Sequence, residues 1–150
     1  MIEETARNEG KEQGARGDLM SLTVLSHPKF LYVIRSALYP VLMDAGFSRR
    51  SARKIVLAVD EACSNIIKYA YEGDHTKTIM LGVRSENGRL VIRLRDFGKQ
   101  AEAAKIAPRR IEDVRPGGLG THFMGEVFDR VEYDTSRAPG TVLILEKTIS

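Results

Sequence analysis

Tryptophan is absent from the 150-residue sequence, cysteine occurs once, and aromatic residues make up only 7%. The lone Cys63 excludes an intrachain disulfide, which fits a reducing compartment. No uncharged run approaches the ~18–20 residues of a membrane span, so a membrane protein is not expected. The opening stretch MIEETARNEGKEQGARGD has no apolar core and is not expected to be a signal peptide. Histidines at 27, 75 and 122 are too scattered to form a zinc site with one cysteine. Neither sign of charge dominates: 23 basic against 20 acidic residues leave +3. With no basic stripe on a helix or strand, nucleic acid is not expected as a partner. What is present is 43% hydrophobic and 29% charged, enough for one domain to bury a core without disulfide or metal. These properties predict a single-domain cytoplasmic protein.

Residues 1–17 carry almost no apolar side chains and cannot offset their ordering entropy by burial. A flexible tail is expected there, ahead of a folded domain over 18–150. Residues 19–25 are β-prone. His27-Pro28 opens a helical stretch through Phe30, Ile34, Leu38 and Leu42 that stops near Gly46, and Pro40 inside it is expected to kink or break it. Ser48 or Ser51 caps a second helix reaching Tyr71, with Gly73 as its stop. Asn87-Gly88 joins strands 78–83 and 89–96 in a hairpin. The polar, basic stretch 99–116 is long for a loop inside a domain and is a candidate lid. Residues 118–128 read as a helix with Leu119, Phe123, Met124, Val127 and Phe128 inward. Strands 130–135 and 141–147 follow, joined through Pro139-Gly140. The order β-α-α-β-β-α-β-β argues an α+β fold, a mostly antiparallel sheet with helices on one face.

Three places in this pattern bear chemistry. On the second helix, Ile55, Val59, Ala62, Cys63, Ile66 and Ala70 form an apolar stripe, and Glu61, Asn65 and Lys68 stand at i, i+4 and i+7 opposite it. They form either a solvated face or a carboxylate, a neutral oxygen ligand and an ammonium aligned on a metal-bound polyphosphate; such oxygens suit Mg²⁺. At the end of the third predicted strand, period-two geometry puts Asp96 on the apolar face of Leu90, Ile92 and Leu94. A carboxylate there either caps the next turn or accepts from a donor on a flat heterocycle, and Gly98 beyond it permits close backbone approach. The run Pro116-Gly117-Gly118-Leu119-Gly120-Thr121 precedes a helix whose N-terminus favours an anion. It is either a flexible lead-in or a phosphate cradle. It is no P-loop, because the Gly-Lys-Ser/Thr ending is absent. Nor is it a dinucleotide fingerprint, because Phe123 stands where a third glycine is needed.

The joint order, Glu-x-x-x-Asn on a helix, strand-Asp-x-Gly, a basic loop, then Gly-x-Gly opening a helix, resembles the GHKL (Bergerat-fold) ATP-binding superfamily. Within it the chain is most similar to the small anti-sigma-factor serine kinases of bacteria. Glu61 to Asn65 matches the family's N-box, Asp96-Phe97-Gly98 its first glycine box, and Gly117-Gly118-Leu119-Gly120 its second. The resemblance implies a Bergerat-type two-layer sandwich and a site for ATP and Mg²⁺. In it, Asn65 ligates Mg²⁺, Glu61 is the general base, and Lys68 contacts phosphate. Asp96 accepts from the adenine amine, Gly98 gives the base room, and Gly118, Leu119, Gly120 and Thr121 contact the phosphates. Residues 99–116 become the ATP lid, where Lys105, Arg109, Arg110 and Arg115 face either phosphate, partner or solvent. The first glycine box departs from the family in continuing Lys99-Gln100-Ala101, and His122 follows Thr121 where an aliphatic residue is usual.

The function this implies is a serine/threonine protein kinase that phosphorylates an anti-sigma-factor antagonist in a partner-switching system. A sigma factor as second partner and a homodimer both fit the resemblance. The alternative reading, a nucleotide-gated protein-binding module with little catalysis, uses the same motifs. A small basic nucleic-acid binder, suggested by the sequence pI of about 9.1, lacks the aromatic and basic patterning it needs.

Overall fold

The computed structural model describes residues 17–100 and 118–149, with side chains in the second stretch described from Phe123 onward. Of the predicted tail over 1–17 and the candidate lid over 99–116, residues 1–16 and 101–116 lie outside the described residues.

Five strands form one sheet: β1 (Asp18–Leu25), β2 (Thr78–Glu86), β3 (Arg89–Arg95), β4 (Arg130–Asp134) and β5 (Val142–Thr148). Their spatial order is β1-β2-β3-β5-β4, and all four pairings are antiparallel. Leu81 lies opposite both Leu22 and Leu94, and Leu94 opposite Leu143, so alternation stacks one apolar row across four strands. Ile79, Leu81, Leu90, Ile92, Leu94 and Leu145 on that face are almost fully buried. The hairpin turn is made by Asn87 and Gly88, both at positive φ (52° and 74°), as a two-residue primed turn requires.

Three helices supply the second layer: α1 (Leu31–Ala45), α2 (Arg49–Asn65) and α3 (Gly118–Val127), with α2 packed against both others. A short 3-10 turn, Pro28–Phe30, leads into α1, and the His27 Nδ1 accepts from the Lys29 N–H at 3.1 Å. Gly46 ends α1 at φ 112°. The break expected at Pro40 does not occur: α1 runs through it unbroken. Pro40 is exposed, so the Ser36 carbonyl that it leaves without an intrahelical donor lies toward water. Ser48 caps α2, its Oγ accepting from the Ser51 N–H at 3.2 Å. Ala52, Ile55, Ala58, Val59, Ala62 and Cys63 are its buried stripe. Burial pushes the Cys63 thiol up to about 12, with Asp60 adding to the effect, which leaves it the small buried apolar residue expected.

A second difference follows Asn65. The sequence predicts one α-helix to Tyr71, but residues Ile66–Ala70 form a π-helical turn, closed by the Tyr71 N–H donating to the Ile66 carbonyl at 2.9 Å. Ile66 and Tyr71, five residues apart, are both buried, a spacing that a wider turn serves better than an α-turn. Gly73, at φ 82°, then donates to the Ile67 carbonyl and stops the segment where the sequence places the stop. No helix among the described residues is long and apolar enough to cross a membrane.

Removing the α2 cap by Ser48→Ala is expected to lower stability by about 1 kcal/mol. Urea titration with an unchanged slope and a lower midpoint is the measurement that checks it.

Candidate functional site

Asp96 continues β3 by one residue, and Thr141 precedes β5 by one. Their backbones extend the ladder: the Asp96 N–H donates to the Thr141 carbonyl at 3.1 Å, and the Thr141 N–H to the Asp96 carbonyl at 3.3 Å. Directly opposed residues share a sheet face, so a carboxylate and a hydroxyl stand side by side at the end of the Leu94–Leu143 row. Both are buried, at 4% and 6% exposure. The Gly98 N–H donates to the Asp96 Oδ1 at 3.0 Å. Thr141 Oγ1 has no hydrogen-bond partner among the described residues. A buried hydroxyl left unpaired next to a buried carboxylate is a polar recess inside an apolar wall, the arrangement a heterocycle with donor and acceptor edges would satisfy. Burial pushes the Asp96 carboxyl above its ordinary range, against the opposing pull of the Gly98 and Thr141 N–H groups and the Arg95 charge.

The loop after Asp96 is fixed to the end of the π-helical turn. The Lys99 N–H donates to the Ala70 carbonyl at 2.8 Å, and a Cβ at Gly98 would overlap that same carbonyl and the Tyr71 ring. Only glycine lets the two backbones come this close. The Tyr71 hydroxyl accepts from the Phe97 N–H at 2.9 Å and donates to the Thr78 carbonyl, and burial raises its pKa. Gln100 closes the other side: its Nε2 donates to the carbonyls of Thr135 and Gly140 at 2.7 and 2.8 Å. Arg95 does the same from the outer face, donating to the Arg137 and Pro139 carbonyls at 3.0 and 2.9 Å, with its guanidinium over the Phe97 ring at 4.6 Å.

The helix layer brings the remaining candidates. Glu61 and Asn65, half-buried, occupy the last turn of α2 on one flank of its core stripe, four residues apart. Asp60 beside them is held by Arg35 of α1 at 2.7 Å, which leaves Glu61 as the carboxylate toward the open flank. Lys68 is exposed in the π-helical turn, where the wider winding removes the i+7 alignment with Glu61 that a continuous α-helix implies. Gly118, Leu119, Gly120 and Thr121 make the first turn of α3, which packs against α2. Gly117, the lid residues Lys105, Arg109, Arg110 and Arg115, and the side chain of His122 lie outside what is described. Among the described residues no group of three or more His, Cys, Asp or Glu side chains is placed to hold a metal by itself. A divalent cation here would have to be shared with ligand phosphates, as Mg²⁺ commonly is.

Three features of the site are missing from the sequence reading. Thr141 was accessible to it: the residue is in period-two phase with Leu143 and Leu145, so it is polar on an apolar face by the argument that singles out Asp96. The Tyr71 hydroxyl and the Ala70 carbonyl carry no such signal, because both act through the π-helical turn.

The family described as histidine kinase-like ATPase domain matches residues 25–147. The chain is 25% identical over 141 residues to the serine-protein kinase RsbW of Oceanobacillus iheyensis, covering 89% of this chain and 88% of that one. With the RsbW of Bacillus subtilis it shares 25% identity over 122 residues, 76% of each chain. Among solved structures, the SiaB–SiaC complex of Pseudomonas aeruginosa matches with a TM-score of 0.69 at 14% identity, over 97% of both chains. The RsbU and RsbW domains of a Mycobacterium tuberculosis protein match with a TM-score of 0.60 at 15% identity, over 87% of this chain and 31% of that one. Both likenesses show the fold alone, the α+β arrangement described above.

Asp96 binds its proton more tightly in the folded chain than in the unfolded one, so stability falls as pH rises from the ordinary carboxylate range, about 4, through the folded value. At neutral pH the ionised group remains a cost. Asp96→Asn keeps an acceptor for the Gly98 N–H and removes that cost. The variant is expected to be at least as stable as the parent at pH 7.5, with the advantage shrinking toward pH 4. Urea titrations at both pH values check this, and a clear loss of stability at pH 7.5 would contradict it.

Proposed function

This chain belongs to the histidine kinase-like ATPase domain family, and we propose that it is an ATP-dependent protein serine/threonine kinase of the anti-sigma-factor type. Its acceptor is a small antagonist protein in a partner-switching system, with a sigma factor as the competing partner, and it works in the cytoplasm. The ATP-binding domain spans 18–150. The observation that carries the reading is the buried pair Asp96 and Thr141, a carboxylate and an unpaired hydroxyl at the end of the β3–β5 ladder. Nothing in the folding of the sheet needs two polar groups there, whereas a purine edge needs both.

In this reading Asp96 accepts from the adenine amine, and Thr141 meets a ring nitrogen directly or through water. Gly98, pinned under Ala70, holds that wall in place. Asn65 offers its amide oxygen to Mg²⁺, while the backbone of Gly118, Leu119, Gly120 and Thr121 faces the phosphates from the start of α3, where the helix dipole favours them. Lys68 reaches phosphate from the π-helical turn. When bound, ATP would supply the phosphoryl group and Mg²⁺ would neutralise the charge that develops on it. Glu61 takes the proton of the acceptor hydroxyl. Phosphoryl transfer requires positioning and charge balance more than covalent help, so one base and these donors suffice.

A second reading is favoured by one observation. Gln100, at the start of the lid, is tied to the β4–β5 connection by two hydrogen bonds. A lid anchored at its root suits a nucleotide-gated binding module with little turnover. Incubation with γ-labelled ATP and an extract of the source organism separates the two. Label on a protein serine or threonine supports the kinase, and nucleotide binding without label supports the module. Glu61→Ala is expected to keep nucleotide affinity within about twofold while phosphoryl transfer falls ~10²–10⁴-fold. Equal transfer by variant and parent would remove Glu61 from that role. Asn65→Ala is expected to abolish the Mg²⁺-dependent part of ATP binding in calorimetry.

A further inference from the structure

The first turns of α2 run against helix electrostatics. Arg49, Arg50, Arg53 and Lys54 crowd its N-terminal end, where the macrodipole favours acids, and no acidic residue stands in the first turn. All four are exposed, and no ion pair to any of them occurs among the described residues. No acidic residue intervenes between Asp44 and Asp60 to balance them. Two of them, Arg50 and Lys54, continue into a single ridge with Leu57 and Glu61: spacings of four, three and four keep all four residues on one helix face. Leu57 is 52% exposed on that ridge, one turn before Glu61. Arg49 and Arg53 lie on the other flank with Asp60, which Arg35 of α1 holds.

We propose that the Arg50–Lys54–Leu57 ridge is the docking surface for the phosphoacceptor protein, whose matching surface is acidic with one apolar contact beside the acceptor hydroxyl. The inference rests on Glu61 being the base of a protein kinase. Charge complementarity selects the partner's chemistry: cations that the helix itself disfavours gain by meeting carboxylates, while the exposed leucine gains by leaving water. The helix rise sets the layout. With the acceptor hydroxyl at Glu61, the apolar contact falls ~6 Å along the axis and the carboxylates ~10–16 Å along it. An acceptor whose surface lacks carboxylates at that distance does not fit the ridge.

The test uses the protein that the wild type labels in the extract, purified, with steady-state kinetics for both substrates. Arg50→Glu/Lys54→Glu is expected to raise the KM for the acceptor at least tenfold, with the Kd for ATP unchanged. Leu57→Ala is expected to raise it severalfold. Arg93→Glu, an exposed charge reversal on the opposite face of the sheet, serves as the control and leaves it unaltered. The double variant also places acids where the macrodipole favours them, so its melting temperature is expected to hold or rise, which separates lost docking from lost folding. Poly-L-glutamate, standing in for the acidic surface, is expected to compete with the acceptor on the wild type and not on the double variant. An acceptor KM unmoved by the double reversal overturns the docking surface alone. An extract in which the wild type labels no serine or threonine overturns the kinase reading, and the docking surface with it.

Discussion

Keeping the Asp96 carboxylate out of water, at 4% exposure, dictates much of what surrounds it. A buried carboxylate needs donors, and the chain provides one through the Gly98 N–H. That donor is in place only because the 97–99 loop lies flat against the end of the π-helical turn, which in turn admits no Cβ at residue 98. Gly140, at φ 85°, is constrained from the other side: a Cβ there would overlap the Asp96 carbonyl and the Phe97 backbone. Two glycines on separate loops therefore clamp one acidic residue. The Thr141 hydroxyl beside it, without a partner among the described residues, leaves the recess with hydrogen-bonding capacity there.

The π-helical turn connects this recess to the helix that carries Glu61 and Asn65. Its Ala70 carbonyl takes the Lys99 N–H, and Tyr71 just beyond it takes the Phe97 N–H. The catalytic candidates on α2 and the acidic wall on β3 are thus held in one frame by backbone and phenol contacts. Such widened turns are frequent where helices serve a site.

Most of the fold was legible because the deciding signals are local. Asn87-Gly88 specifies its hairpin, Gly46 and Ser48 punctuate the first two helices, and period-two alternation assigns the sheet faces, including that of Asp96. Pro40 does not break α1, because an exposed proline leaves only a carbonyl that water can satisfy. The π-helical turn was hidden because its cause is tertiary: Ile66, Ile67 and Tyr71 all seek the core, and no local rule weighs that demand against one α-turn. For the site, the order of motifs was readable along the chain. Thr141 was missed although the same alternation carries it, since a threonine opening a strand attracts no notice until it is seen to lack a partner.

The strand order has a consequence for biosynthesis. β5 follows β4 along the chain but lies between β3 and β4 in the sheet, so those two strands meet only through one that comes after both. Until Thr141 and the residues after it leave the ribosome, Asp96 lacks the backbone partner on its β5 side. The pairing of Asp96 with Thr141 therefore forms only when β5 slots between two strands already made.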